Sequence, residues 1–434
     1  MHRRLSRALV QWKGEARRKP LILRGARQVG KTWLLVDFGR THFPGRTHLV
    51  DFEKRPAFRT VFERDLEARR IVTELELLLN ERITPGEDLL VLDEIQACPR
   101  AIMALRYFYE DLPALHVAAA GSLLEFTMQD LSFPVGRARS MTMRAMTFAE
   151  FLHGLGNHAQ ADLVTGPAAP VAPAIHNEIM QLLKTYFIVG GMPESVRTFA
   201  ETGSIRSAKE VLTDLIVTYR DDFGKYAPRA DKLGMNAVLR GAAAGVGDQI
   251  KYSRLTDLVS GPTSRRDLEL LQLAQLVHKI RATSAAVVPL AASASDSRFK
   301  VVMLDIGIMQ ALSGLNADAI VSEDDLLAVY RGALAEQFVG QELLAGGQDE
   351  LYFWSREARS SSAEVDFLAT VGGRIRPIEV KSSAAGRLRS LHLLLETFPA
   401  CRPGYVLSSR PYAELPEQDL VFAPLYFAGS LARE

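Results

Sequence analysis

The octet Gly25-Ala26-Arg27-Gln28-Val29-Gly30-Lys31-Thr32 follows the apolar run Leu21 to Arg24 and opens a helically patterned segment to about Phe38. No other stretch restricts the chain as much. A G-x-x-x-x-G-K-[ST] loop set between a strand and a helix lets backbone N–H groups converge on phosphate oxygens. It also aims the positive end of the helix at the same anion. On this reading the whole loop cradles ATP, with Lys31 reaching the β- and γ-phosphates and Thr32 ligating Mg2+.

Such a loop needs acids nearby. Leu89-Leu90-Val91-Leu92 reads as an apolar strand that ends in Asp93-Glu94. Asp93 is expected to hold magnesium, through water, and Glu94 to polarise the attacking water, which extends nucleotide binding to hydrolysis. Two further residues suit the same site. Ser122 follows the apolar run His116 to Ala120 and is either a sensor of the γ-phosphate or a plain strand-end turn after Gly121. Arg137 either supplies charge to the transition state, in cis or from a neighbouring subunit, or is a surface arginine that opens a strand.

Strands expected at 21–24, 47–52, 89–92 and 116–120 alternate with helical segments, a short one over 3–18 and others around 64–81 and 101–111. That alternation predicts an α/β fold with a parallel sheet covered on both faces. Ser140 to Thr147 alternates polar and apolar residues, which suits a fifth strand. Gly154 to Pro173, with three glycines and three prolines among alanines, reads as a linker or surface insertion.

From Ile175 to about Leu290 the periodicity is mostly helical. Residues 236–290 read as helix, turn, helix and a short β segment. Tyr252-Ser253-Arg254-Leu255 begins one helix, Gly261-Pro262 breaks the chain, and Ser264 fits an N-cap, with Asp267 as an imperfect capping-box partner. Either this is a winged helix-turn-helix with Arg265 and Arg266 opening a recognition helix, or it is a packing module with two solvent-facing arginines.

A second chemistry sits near the C-terminus. Ala363 to Leu368 and Ile378 to Lys381 read as strands, and Glu379 lies thirteen residues after Asp366. Alternation puts Glu379 and Lys381 on one strand face, and Glu364 on the face of Asp366. On adjacent strands Asp366 and Glu379 would share a magnesium ion, which takes oxygen ligands. Lys381 would then position a water and stabilise charge developing at phosphorus. The other reading is two amphipathic strands with exposed charges.

With 434 residues the chain is long enough for two to three domains. The expected division is 1–153, 175–290 and 291–434. Net charge is +1, so any contact with nucleic acid must come from local patches. Cys98 and Cys401 are too few for a disulfide framework or a zinc site, which fits a reducing cytoplasm. No long apolar run predicts a membrane span or a signal peptide.

Together, Gly25 to Thr32, Leu92-Asp93-Glu94-Ile95-Gln96, Gly136-Arg137, Thr147-Phe148-Ala149-Glu150-Phe151 and Gly190-Gly191-Met192-Pro193-Glu194 resemble a known family. It is that of the bacterial and archaeal AAA-type, STAND-like ATPases that carry a C-terminal domain of unknown function. The resemblance implies a P-loop ATPase domain, a helical and winged-helix connector and a third domain. The Asp366/Glu379/Lys381 spacing resembles the PD-(D/E)XK nuclease fold, with Val365 where a proline often stands. That resemblance adds Glu336, from an earlier helix, to the expected metal ligands.

Two functions follow as expectations. One is an ATPase that couples nucleotide state to a nuclease-like domain acting on nucleic acid, DNA ahead of RNA. The other is an ATP-driven switch that binds a partner through a catalytically silent domain. Self-assembly is open in both.

Overall fold

Leu21–Arg24 is four residues long and apolar through its first three, and it forms the strand (β1) that delivers the chain into the glycine loop. The computed structural model describes residues 2–122, 124, 126, 136–226, 231–314, 332–358, 361–381 and 388–433. It divides into two compact units, His2–Arg144 and Ala145–Glu434.

In the first unit β1 is joined by β2 (Thr47–Asp51), β3 (Leu89–Asp93), β4 (His116–Ala120) and β5 (Arg139–Thr142), in the spatial order β2-β3-β4-β1-β5. Every pairing is parallel. Parallel strands need crossovers, and helices Lys31–His42, Ala68–Leu79 and Pro99–Asp111 supply them. β3 and β4 are buried throughout, as a sheet covered on both faces requires. On one side Phe52, Phe58, Phe62, Ile71, Leu105 and Phe108 form a continuous core. Because β4 lies between β1 and β3, its end separates the glycine loop from the acidic strand end.

The second unit opens with a helix where the alternation of 140–147 suggested more strand. β5 stops at Thr142, and Thr147 caps helix Phe148–Gly154 in a reciprocal capping box with Glu150. The T-x-x-E spacing satisfies two otherwise orphaned N–H groups and outweighs the strand pattern. The stretch read as a linker contains helix His158–Thr165, with its glycines and prolines flanking rather than interrupting it.

Helices Pro173–Val189, Pro193–Thr202, Ile205–Tyr226 and Lys232–Ala244 follow. Gly191 sits where any side chain would collide, since a Cβ would lie 2.1 Å from the Met146 carbonyl oxygen. Its N–H donates to the buried Asp305 carboxylate at 2.6 Å, and its carbonyl accepts from Met146 N–H at 2.7 Å. The Gly190-Gly191 signature is therefore a backbone junction in this unit.

Tyr252–Arg254 forms only one tight turn, and the next helix is Gly261–Leu273. Its N-cap is Ser260, not Ser264: the Ser260 hydroxyl accepts from Thr263 N–H. Gly261-Pro262 starts this helix instead of breaking the chain, because the missing N–H of a first-turn proline is an orphan position anyway. Ser264 is fully buried inside the helix.

β6 (Val277–Thr283) and β7 (Ala294–Met303) then pair as an antiparallel hairpin. They enter one eight-stranded sheet, in which β7 is an edge strand. The division expected at 290/291 thus falls inside a hairpin, where the structure is continuous.

Helix Ala333–Ala345 precedes the meander β8 (Leu351–Ala358), β9 (Ser361–Val371) and β10 (Arg374–Val380). Helix Arg389–Thr397 leads to β11 (Gly404–Ser408), which runs parallel to β10. Short β12 (Ala413–Leu415) and β13 (Leu420–Pro424) complete the sheet. Trp354 is buried in the core between this sheet and helix Arg389–Thr397, as a large aromatic on an inner strand should be. No helix among the described residues is long and apolar enough to cross a membrane.

Candidate functional site

The glycine loop leaves β1 through Gly25, whose φ is +147°. A Cβ there would lie 2.3 Å from the Met143 carbonyl oxygen, so backbone packing alone demands glycine. The loop ends at Gly30, itself left-handed, which N-caps helix Lys31–His42. The first turn's N–H groups thus open toward the loop, where an anion is favoured.

Lys31 is buried, and its ammonium donates to the carbonyls of Gly25 at 3.0 Å and Ala26 at 2.8 Å. The lysine folds back over its own loop, and phosphate oxygens would compete with these carbonyls for it.

At the end of β3, Asp93 is 4% exposed. Burial pushes its carboxyl up to about 6; the Thr32 hydroxyl hydrogen-bonds it and opposes the shift, while Glu94 and Asp51 add to it. A buried carboxylate held by the loop's last hydroxyl, with the acids Glu94 and Asp51 beside it, is suited to a hard cation. Thr32 and Asp93 therefore fit a magnesium ion.

Glu94 follows in the left-handed region, at φ 48°. The Gln96 amide donates to Glu94 Oε2 at 2.6 Å, and the Ser122 hydroxyl reaches the same oxygen at 3.5 Å. Ser122 is buried just past β4, the strand between β1 and β3, and so lies between the loop and the acids. Sequence alone assigns Gln96 no role of its own. The available signal is position, two residues beyond Glu94 on the same tight turn.

Arg137 lies elsewhere. β5 runs parallel to β1 with Arg139 opposite Leu21, so Arg137 precedes the start of the strands, whereas the loop follows their end. Its guanidinium pairs with Glu110 at 2.5 Å. The placement contradicts an action in cis; a neighbouring subunit's site is the remaining version of that expectation.

In the second unit the C-terminal candidates converge. Asp366 on β9 accepts from Val380 N–H at 2.9 Å, which fixes it beside β10. Glu379 and Lys381 share a face, with Lys381 Nζ 2.5 Å from Glu379 Oε1. Glu336, in the first turn of helix Ala333–Ala345, is brought to the same cluster. Burial, then the nearby Asp366 charge, raises the carboxyls of both Glu336 and Glu379 well above the usual range.

At the centre stands a residue to which the sequence alone assigns no role. Lys300, on β7 and 2% exposed, places its ammonium 2.6 Å from Glu364, 3.0 Å from Glu336 and 3.2 Å from Asp366. Burial opposes its charge, but Asp366, Glu336 and Glu364 outweigh burial and raise it. A lone lysine in the apolar run Phe299 to Met303 was the available signal. Glu364 is also held by the Gln249 amide at 2.7 Å. Among the described residues, no group of three or more His, Cys, Asp or Glu is arranged to hold a metal ion. With the Lys300 ammonium among Glu336, Glu364 and Asp366, the magnesium expected on Asp366, Glu379 and Glu336 does not fit this cluster as it stands.

Arg265 pairs with Glu269 at 2.9 Å and Arg266 with the buried Asp267 at 2.8 Å. Both guanidiniums are engaged by acids on their own helix, which thins a phosphate-binding footprint.

Three segments match family models: residues 180–319 a domain of unknown function (DUF8612), residues 331–425 a second one (DUF4143), and residues 17–152 an AAA domain. No curated protein matches the chain. Among solved structures, a Walker-type ATPase of Pyrococcus abyssi is 17% identical, covering 71% of this chain and 94% of that one, with a TM-score of 0.44. The ORC1 protein of Aeropyrum pernix, solved in complex with DNA, is 14% identical over 74% and 92%, with a TM-score of 0.27. AMPPCP-bound DnaA from Aquifex aeolicus is 13% identical over 62% and 85%, with a TM-score of 0.28. The glycine loop, Asp93, Glu94 and Ser122 all fall within the matched AAA segment, and the N-terminal part of this chain is of the AAA type.

Proposed function

We propose that this protein is a magnesium-dependent ATPase whose nucleotide state controls a nuclease-like second unit that engages nucleic acid, DNA ahead of RNA. One observation carries the ATPase part: the Thr32 hydroxyl, at the end of the glycine loop, is hydrogen-bonded to Asp93 at the end of β3.

The loop N–H groups and Lys31 would hold the triphosphate. Thr32 and Asp93 would hold magnesium, which when bound neutralises phosphate charge. Glu94, aimed by Gln96, would accept a proton from the attacking water. Ser122 would read the γ-phosphate from its place between loop and acids. Charge from Arg137 would have to come from a neighbouring subunit, which makes self-assembly part of that version.

The nuclease-like reading rests on helix Ala333–Ala345, the β8–β10 meander, helix Arg389–Thr397 and parallel β11, with Asp366, Glu379 and Lys381 gathered on β9 and β10. Helix Gly261–Leu273 with the β6–β7 hairpin supports a winged-helix reading of the connector. The ammonium of Lys300 among three carboxylates favours the version in which the second unit binds without cutting.

The test is ATPase turnover with and without DNA or RNA, for wild type beside Lys31→Ala and Glu94→Gln. Turnover that both variants lose supports the ATPase, and stimulation by nucleic acid supports the coupling. Turnover unchanged in Lys31→Ala would refute the site. A response flat to every nucleic acid would leave the ATPase and remove its partner.

A further inference from the structure

The carboxylate cluster of the second unit already contains a cation. Lys300 Nζ lies within 3.2 Å of three carboxylates drawn from two elements, Glu336 on a helix and Glu364 and Asp366 on β9. Its stem comes from a third element, β7, and Nζ lies over the Phe353 ring, 5.5 Å from the centroid. The lysine is not a surface side chain that has drifted inward: it is 2% exposed, on a strand whose neighbours Phe299, Val301 and Val302 are core residues.

A divalent metal in that place would need the same oxygens at about 2.0–2.6 Å, a distance that leaves no room for an ammonium among them. One ammonium brings a single positive charge and three donors, and here each of three carboxylates receives one contact. Glu379 is the member left over. Its Oε1 is taken by Lys381, while its Oε2 is buried with no hydrogen-bond partner among the described residues, and Asp366 and Lys300 both act on it electrostatically. An orphaned buried carboxylate oxygen beside an acidic cluster is a cost that a second cation would remove.

We propose that Lys300 is the resident cation of this cluster and stands in for a divalent metal, so that the second unit is metal-free at rest. Withdrawing Lys300 opens the cluster to one magnesium or manganese ion, taken by Asp366 and Glu379 with Glu336 or Glu364. This rests on the geometry of the second unit and is independent of the ATPase reading. It also identifies what would have to move before any metal-dependent chemistry began there.

The experiment is a manganese titration followed by calorimetry and by the electron-spin signal of free Mn2+. It uses the full chain without nucleotide and carries Asp93→Asn throughout to silence the N-terminal site. With Lys300 present, no site of the second unit should fill. Lys300→Met, which keeps the stem and removes the charge, should gain one site and bind manganese at least tenfold tighter. Adding Asp366→Asn should abolish that gain. A folded Lys300→Met that gains no manganese site would overturn the proposal. Should that variant fail to fold, the lysine-containing chain decides alone. Manganese binding that Asp366→Asn removes would refute a resident lysine, and absence of such binding supports it. Because the readout is metal binding with Asp93 already replaced, a failed ATPase assay leaves this result intact.

Discussion

Asp93 is buried beside the acids Glu94 and Asp51, and replacing it by asparagine measures what that arrangement costs. Its carboxyl is raised from 3.8 to about 6, chiefly by burial. The sign follows from linkage. A carboxyl raised on folding favours the native state fully below its unfolded value and loses that advantage as pH rises through the folded one. Near pH 7.5 the ionised side chain therefore weakens the first unit by about 3 kcal/mol, since each tenfold change in proton affinity is worth about 1.36 kcal/mol. Near pH 4.5 the same relation leaves about 1 kcal/mol. An asparagine in this place would still accept from Thr32, but its amide would lack an acceptor, a loss of about 1 kcal/mol.

Asp93→Asn should thus stabilise the nucleotide-free protein by roughly 2 kcal/mol at pH 7.5, or about 4–8 °C for a unit of this size, and by nearly nothing at pH 4.5. Thermal unfolding followed by the first unit's transition measures both. Addition of MgATP should reverse the order, because only the wild type retains the carboxylate that suits the metal. A variant no more stable than wild type at pH 7.5, or equally stabilised at both pH values, would show that Asp93 is not strained in the resting site.

Lys31→Ala should leave the nucleotide-free fold near its original stability and weaken binding of a fluorescent ATP analogue by at least about a hundredfold, since it removes the one ammonium at the loop. Glu94→Gln keeps an acceptor for Gln96 and should bind ATP normally while turnover falls by about 10²–10⁴, the usual worth of a general base. Gly25→Ala drives a methyl to 2.3 Å from the Met143 carbonyl, so the first unit should lose at least about 2 kcal/mol and its nucleotide affinity, read by thermal unfolding and ATP titration.

The first unit was legible because its signals are local. A loop that binds phosphate is contiguous in sequence, and strands buried on both faces read as short apolar runs, as at Leu89–Asp93 and His116–Ala120. Departures came where one local signal outweighed another. Thr147 has the alternation of a strand but the T-x-x-E spacing of a helix start, and the capping box prevailed. Ser264 has the composition of a cap, yet Ser260 stands where Gly261-Pro262 can occupy the first turn. Arg137 has the chemistry of a transition-state residue but precedes β5, at the wrong end of the sheet, and strand direction is not written in a dipeptide. Lys300 was illegible for a stronger reason. Its partners lie 36, 64 and 66 residues away, as Glu336, Glu364 and Asp366, on elements that meet only in the folded sheet.

The two acidic sites answer the same physical problem in opposite ways. Buried carboxylates must be protonated, paired with a cation or left strained. At the end of β3 Asp93 sits with the Thr32 hydroxyl and the acids Glu94 and Asp51, while Lys31 donates to the carbonyls of Gly25 and Ala26. A nucleotide with its metal, bound as proposed, would bring a cation to those acids. Around Asp366 the chain provides its own cation, and Lys300 satisfies three carboxylates before any ligand arrives. A site strained at rest gains stability from its ligand, whereas one already satisfied must first be disturbed. If the two are coupled, the free energy released at the first site has a definite task at the second. That task is to draw one ammonium away from Glu336, Glu364 and Asp366, and its size is set by the three ion pairs that would break.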